Sequence, residues 1–141
     1  MLVVSGAAMK KILDHCVESY PYECCGLMLG RDEDERMVVD VVRVSNVHEG
    51  DRRVRYRIDP MEYYRVEKSA EERGLRVVGT YHSHPNVAAR PSQYDLEHSF
   101  PWYSYLIVSV SSGGVVEYRS WRREDASEGP RFVEEDVRVE E

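Results

Sequence analysis

The sequence predicts an α+β fold, a mixed, mainly antiparallel sheet with helices packed on it. Two stretches read as capped helices, the first with apolar residues every three or four positions. Around them lie β-branched runs of strand length, and one pair of runs is separated by nothing but a charged turn, a hairpin signal.

Ser5 caps the first helix, whose Met9, Ile12, Leu13, Cys16, Val17 and Tyr20 share a face, and Pro21 ends it. Residues 25–30 form an apolar strand, the charged run 31–36 turns the chain, and residues 37–47 return as a second strand. Residues 53–58 read as a short strand that places Arg53, Arg55 and Arg57 on one face, either solvated or docking a partner. Asp59 and Pro60 then open a second helix that stops at Gly74. Strands are expected over 75–81, 103–110 and 115–121, with a tight turn at 111–114. After a linker at 124–130, residues 131–139 are expected to add another strand. Trp102, Tyr103 and Tyr105 are expected in the core. With no internal repeat and 141 residues, the region 1–141 is expected to be a single domain.

The formal charge of −7 and pI near 5.3 argue against a nucleic-acid binder, whose footprint is basic. No stretch predicts a membrane span: the longest uncharged run, 99–116, contains serines, glycines and Pro101. Lys10 and Lys11 follow the first apolar stretch, the reverse of a secretion signal. Three cysteines, two of them adjacent, do not make a disulfide framework, so a reducing cytoplasm is the expected location.

The chemistry concentrates at His82-Ser83-His84-Pro85, with Ser92 and Asp95 following. On a strand, residues i and i+2 point to one side, so both imidazoles aim at one place. Ser92 caps a short helix and stands three residues before Asp95, so the two are expected to share a helix face. Two imidazoles and a carboxylate make a three-ligand zinc site with an open fourth position. His98 is expected to be a surface or packing residue. Cys24 or Cys25 with a histidine base would give a thiolate nucleophile, but small buried hydrophobes are the commoner role for such cysteines. A zinc nucleoside deaminase would need a Pro-Cys-x-x-Cys that does not follow the histidines.

His-Ser-His-Pro, seven residues to Ser92 and two more to Asp95, resembles the JAMM motif of the JAB/MPN-domain metallopeptidases. Glu23-Cys24-Cys25-Gly26 resembles the upstream glutamate segment of their stand-alone prokaryotic members. The resemblance implies a curved sheet flanked by helices, similar to the cytidine-deaminase-like architecture. It also implies that His82, His84 and Asp95 hold Zn2+, that Glu23 is the acid/base and that Ser92 stabilises the tetrahedral intermediate. The implied substrate is a ubiquitin-like or sulfur-carrier protein with a diglycine tail, lying extended along a sheet edge and cut by peptide or isopeptide hydrolysis. The chain is too short for the large insertions of eukaryotic members, so linkage-selective deubiquitination is not expected. The family also contains non-catalytic scaffolds that hold partners together, but those usually lack ligand residues.

Overall fold

The computed structural model describes all 141 residues. The chain runs β1 (Leu2–Ser5), α1 (Gly6–Ser19), β2 (Cys25–Asp32), β3 (Arg36–Val44), α2 (Pro60–Glu72) and β4 (Arg76–Pro85). It continues through α3 (Gln93–Glu97), β5 (Ser104–Ser111), β6 (Gly114–Ala126), β7 (Gly129–Glu135) and β8 (Val137–Glu140). All the strands join one sheet in the order β7-β6-β5-β4-β2-β3-β1-β8. β1/β3, β1/β8 and β4/β5 are parallel, and the other four pairs are antiparallel.

The curl of this sheet follows from its connectivity. β7 and β8 occupy opposite edges, yet only Asp136 separates them in the chain. Successive Cα atoms are about 3.8 Å apart, so the two edges must approach each other there. α1 touches β1, β3, β4, β5, β6 and β8, strands from both halves of the curl, and therefore fills its concave side. Its Ala8, Met9, Ile12 and Cys16 join Met28, Val78, Tyr81 and Leu106 in the main core. α2 covers the other face, where Val66 and Ala70 pack on Cys25, Leu27, Leu29 and Val77.

Both long helices begin as expected: Ser5 accepts the Ala8 N–H and Asp59 accepts the Met61 N–H. Other expectations are corrected. Residues 53–58 are not a strand; the segment is irregular and only Ile58 makes a bridge, to Asn46. The supposed linker 124–130 is the tip of the β6/β7 hairpin, where Glu124 pairs with Arg131 in register and by a 3.1 Å ion pair. Residues 131–139 contribute to two strands, not one, and β1 had no sequence expectation at all. Of the three aromatics expected in the core, only Tyr105 is buried. Trp102 is half-buried between the guanidinium groups of Arg36 and Arg76, and Tyr103 lines a cavity. No helix is long and apolar enough to cross a membrane.

Candidate metal centre and active site

β4 is paired to β2 as far as His82 and to β5 through to Pro85. His82 and His84 therefore sit inside a strand held by neighbours. Alternation turns Tyr81 toward α1, where its hydroxyl meets His15 Nδ1 at 2.6 Å, and turns both histidines to the opposite face. The Tyr81 ring lies so close over Gly26 that any Cβ there would collide with it. Glycine at this point of Glu23-Cys24-Cys25-Gly26 thus makes room for the strand that bears the histidines.

His82 Nε2 and His84 Nε2 are 3.1 Å apart. Asp95 Oδ2 lies 3.7 Å from the first and 3.6 Å from the second. A tetrahedral zinc with bonds of about 2.0–2.1 Å sets its ligands roughly 3.3 Å from one another, so these three atoms have the spacing to share an ion. His84 Nδ1 donates to the Ala88 carbonyl at 3.0 Å, which leaves its Nε2 lone pair facing the same point. His82 Nδ1 is buried without a partner, and the Tyr56 ring instead lies against that imidazole, centroids 4.4 Å and planes 25° apart. Electron-rich atoms crowded together in a buried pocket are what a cation relieves.

Glu23, just before β2, is buried beside them; it, His82 and His84 each offer a ligand atom within 4.8 Å of the others. Its backbone is fixed on both sides, the N–H donating to the Arg52 carbonyl at 2.7 Å and the carbonyl accepting from Asn46 Nδ2 at 3.0 Å. Burial pushes the Glu23 carboxyl up to about 8, against the pull of His84 and with a further push from the Asp95 charge. Burial also works against the Asp95 charge, yet His82, His84 and the Ser92 N–H hold that carboxyl far below the usual range. At His82 burial wins and lowers the imidazole; at His84 the bonds to Asp95 and Ala88 outweigh burial and raise it.

Ser92 stands outside α3, so it does not share a helix face with Asp95. The two form a capping box: Ser92 Oγ accepts the Asp95 N–H at 3.1 Å, and Asp95 Oδ2 accepts the Ser92 N–H at 2.8 Å. The oxygen that faces the histidines is thus the one that closes the helix start. Ser92 Oγ serves the cap only as an acceptor and keeps its own hydrogen to donate.

Two cavities flank this group. The smaller, about 200 Å³, is lined by Glu23, His84, Ser92 and Asp95, with Arg55 and Val87 at its wall. The larger, about 560 Å³, is aromatic, with Tyr63, Phe100, Tyr103 and Tyr105. Tyr56, Tyr94 and Asp95 wall both.

Residues 6–124 match the family described as prokaryotic homologues of the JAB domain. The chain belongs to that family. It is 37% identical over 144 residues to a desampylase of Haloferax volcanii, covering 99% of this chain and 96% of the relative. It is 32% identical over 110 residues to a probable TtuB-protein conjugate cleaving protease of Thermus thermophilus, covering 78% and 71%. It is 28% identical over 142 residues to the CysO-cysteine peptidase of Mycobacterium tuberculosis, covering 100% and 92%. A protein of Desulfitobacterium hafniense shares the fold with a TM-score of 0.83 and 31% identity, covering 100% of this chain and 94% of that one. A JAB1/MPN domain protein of Archaeoglobus fulgidus superposes at 0.59 with 20% identity, covering 98% of each.

In this JAB-domain chain the cysteines are buried and free. Cys24 packs on the α1 side with its Sγ 3.7 Å from Cys16 Sγ, across the sheet from the histidines. Cys25 lies on the histidine side, but burial pushes its thiol up and keeps it protonated. His98 is exposed and stacks on Tyr94 with centroids 4.0 Å apart, a packing role. Two residues of the JAB site carry no assigned role in the sequence, Asn46 and Tyr56, and Arg55 figures there only as one of three arginines on an expected strand face. Asn46 falls inside the run 37–47 expected as a strand, whereas β3 stops at Val44, and the partners of its side chain are set only by the fold.

Proposed function

We propose that this JAB-domain protein is a zinc-dependent peptidase that cuts after the C-terminal diglycine tail of a ubiquitin-like or sulfur-carrier protein, acting as a single cytoplasmic domain. The observation that carries the reading is the meeting of His82 Nε2, His84 Nε2 and Asp95 Oδ2 within 3.1–3.7 Å, with Glu23 buried alongside. A scaffold has no need of such a cluster. The names of the relatives agree in kind, since each refers to a carrier-type conjugate or its cleavage.

His82, His84 and Asp95 would hold the ion, which when bound polarises the scissile carbonyl and lowers the pKa of an attacking water to about 7. Glu23 takes a proton from that water and passes it to the departing amine. The free hydroxyl hydrogen of Ser92 donates to the oxygen that gains charge. The extended tail is read as lying against segment 53–58, beside the part of β4 that β2 leaves open after His82, and as filling the aromatic cavity.

The test is to incubate the zinc-loaded protein with carrier proteins bearing C-terminal extensions and weigh the fragments by mass spectrometry. Cleavage directly after the diglycine, lost in Glu23→Gln, is the expected result. No cleavage of any conjugate, or equal behaviour of the Glu23→Gln protein, would overturn the reading.

A further inference from the structure

Arg53, Arg55 and Arg57 lie in the segment that borders both cavities, and their surroundings differ. Arg53 is engaged: its Nε and Nη2 donate to the two carboxylate oxygens of Asp51, each at 3.0 Å. Arg57 lines the larger cavity. Arg55 lines the smaller one beside Glu23, His84, Ser92 and Asp95, and its guanidinium lies over the Tyr94 ring, 4.2 Å from the centroid. That stack sets the plane of the guanidinium, while none of its N–H groups is given to a protein acceptor. Asn46 fixes the backbone beneath it, because the same Nδ2 donates at 3.0 Å to the carbonyl of Arg55 and to that of Glu23.

On the hydrolase reading, the two cavities serve the two sides of the bond to be cut. Glu23 lines only the smaller, so the amine that takes its proton departs on that side. The larger, aromatic cavity is left for the carrier tail. A planar cation with unspent donors, on the departing side, fits a carboxylate on the departing group.

We propose that Arg55 binds the free α-carboxylate of a single amino acid attached to the carrier terminus, and so selects that adduct over an isopeptide-linked protein. This rests on the hydrolase reading above. In the adduct the carboxylate sits on the carbon that bears the departing nitrogen and falls in the same cavity. In an isopeptide the departing nitrogen is a lysine Nε, four methylenes from any backbone group. The reaction is hydrolysis: the water hydroxyl joins the glycine carbonyl carbon, the C–N bond breaks, and the proton goes through Glu23 to the released amine.

The experiment compares three substrates with one carrier tail: one ending Gly-Gly-Ala with a free carboxylate, the same peptide as its C-terminal amide, and Gly-Gly joined to the Nε of a lysine amide. The wild type is expected to favour the free acid in kcat/KM by at least about tenfold, chiefly through KM, as loss of a charge-assisted pair predicts. Arg55→Ala should erase the preference, Arg55→Lys should keep part of it, and Arg57→Ala should leave it intact. Calorimetry with the Glu23→Gln protein should show the same acid-over-amide ratio in Kd without turnover. Equal use of acid and amide, a preference for the isopeptide, or a preference that survives Arg55→Ala would overturn the inference while the hydrolase reading stands. Failure to cut all three would sink both.

Discussion

Asn46 holds Glu23 by its main chain, Nδ2 to carbonyl oxygen at 3.0 Å, while Asn46 Oδ1 accepts the N–H groups of His48 and Arg57 at 3.0 and 3.1 Å. One side chain thus replaces the ladder that segment 53–58 lacks. Asn46→Ala removes all of these bonds and leaves partners unmet, a loss of about 1–3 kcal/mol in stability. Turnover should fall at least about tenfold, because a small displacement at a reacting group is costly. Thermal unfolding and steady-state kinetics on the same preparation check both.

On the proposed reading, removing a metal ligand should be separable from removing the acid/base. His84→Ala and Asp95→Asn are expected to fold but to carry well under about one metal per chain, as measured by elemental analysis after dialysis. Glu23→Gln should keep its metal and lose roughly 10²–10⁴ in kcat. Metal loss in Glu23→Gln with none in Asp95→Asn would reverse the assignment of the two carboxylates.

Cys24 lies across the sheet from His82, beside Cys16 on the α1 side, so its thiol does not line the cavity that holds Glu23 and His84. A chelator should abolish hydrolysis and zinc should restore it, while Cys24→Ala keeps most of the activity. Inactivation by Cys24→Ala with an unchanged melting curve would instead favour the thiolate.

Ser92 caps α3 and, on the proposed reading, also donates its hydroxyl to the oxygen that gains charge, two duties that substitution can divide. Ser92→Ala loses both cap and hydroxyl, with about 0.5–2 kcal/mol of stability, whereas glycine at the cap loses only a few tenths. Both variants should drop in kcat by about a hundredfold or more. If Ser92→Gly stays active while Ser92→Ala does not, the residue acts as a cap alone.

Asp40 gives an acid-sensitive contact away from the site. Partial burial raises its carboxyl, but bonds from Lys11 at 2.8 Å, the Val41 N–H at 2.9 Å and Arg73 at 3.0 Å outweigh burial and hold it below the ordinary value. A carboxyl lowered by folding adds stability that is complete above its unfolded value of about 3.9 and fades as pH falls through the folded one. Asp40→Asn should therefore lower the melting temperature at neutral pH and flatten its decline below about pH 4, as followed by circular dichroism.

The helices and the histidine strand were legible because their signals are local: Ser5, Asp59 and Ser92 are caps whose partners lie within three residues. Glu23, His82, His84 and Asp95 could be named as a group from the motif, and their distances needed the fold. Residues 53–58 misled because alternation of arginine with Val54, Tyr56 and Ile58 imitates a strand; here Tyr56 backs His82 and the backbone bonds to a side chain. The β6/β7 hairpin was hidden for the opposite reason. Its tip is charged and pairs across the strands as Glu124 with Arg131, so composition resembled a linker.

α3 has five residues and buries none of them, too few to wind without help. Its first turn is closed by Asp95 Oδ2, the atom that also faces His82 and His84. If that atom holds the proposed ion, ion affinity and local helix order are two readings of one equilibrium, and linkage makes the effect reciprocal. A ligand that steadies Tyr94 would tighten the grip on the ion, and withdrawing the ion would let α3 fray, which hydrogen exchange at its amides would record.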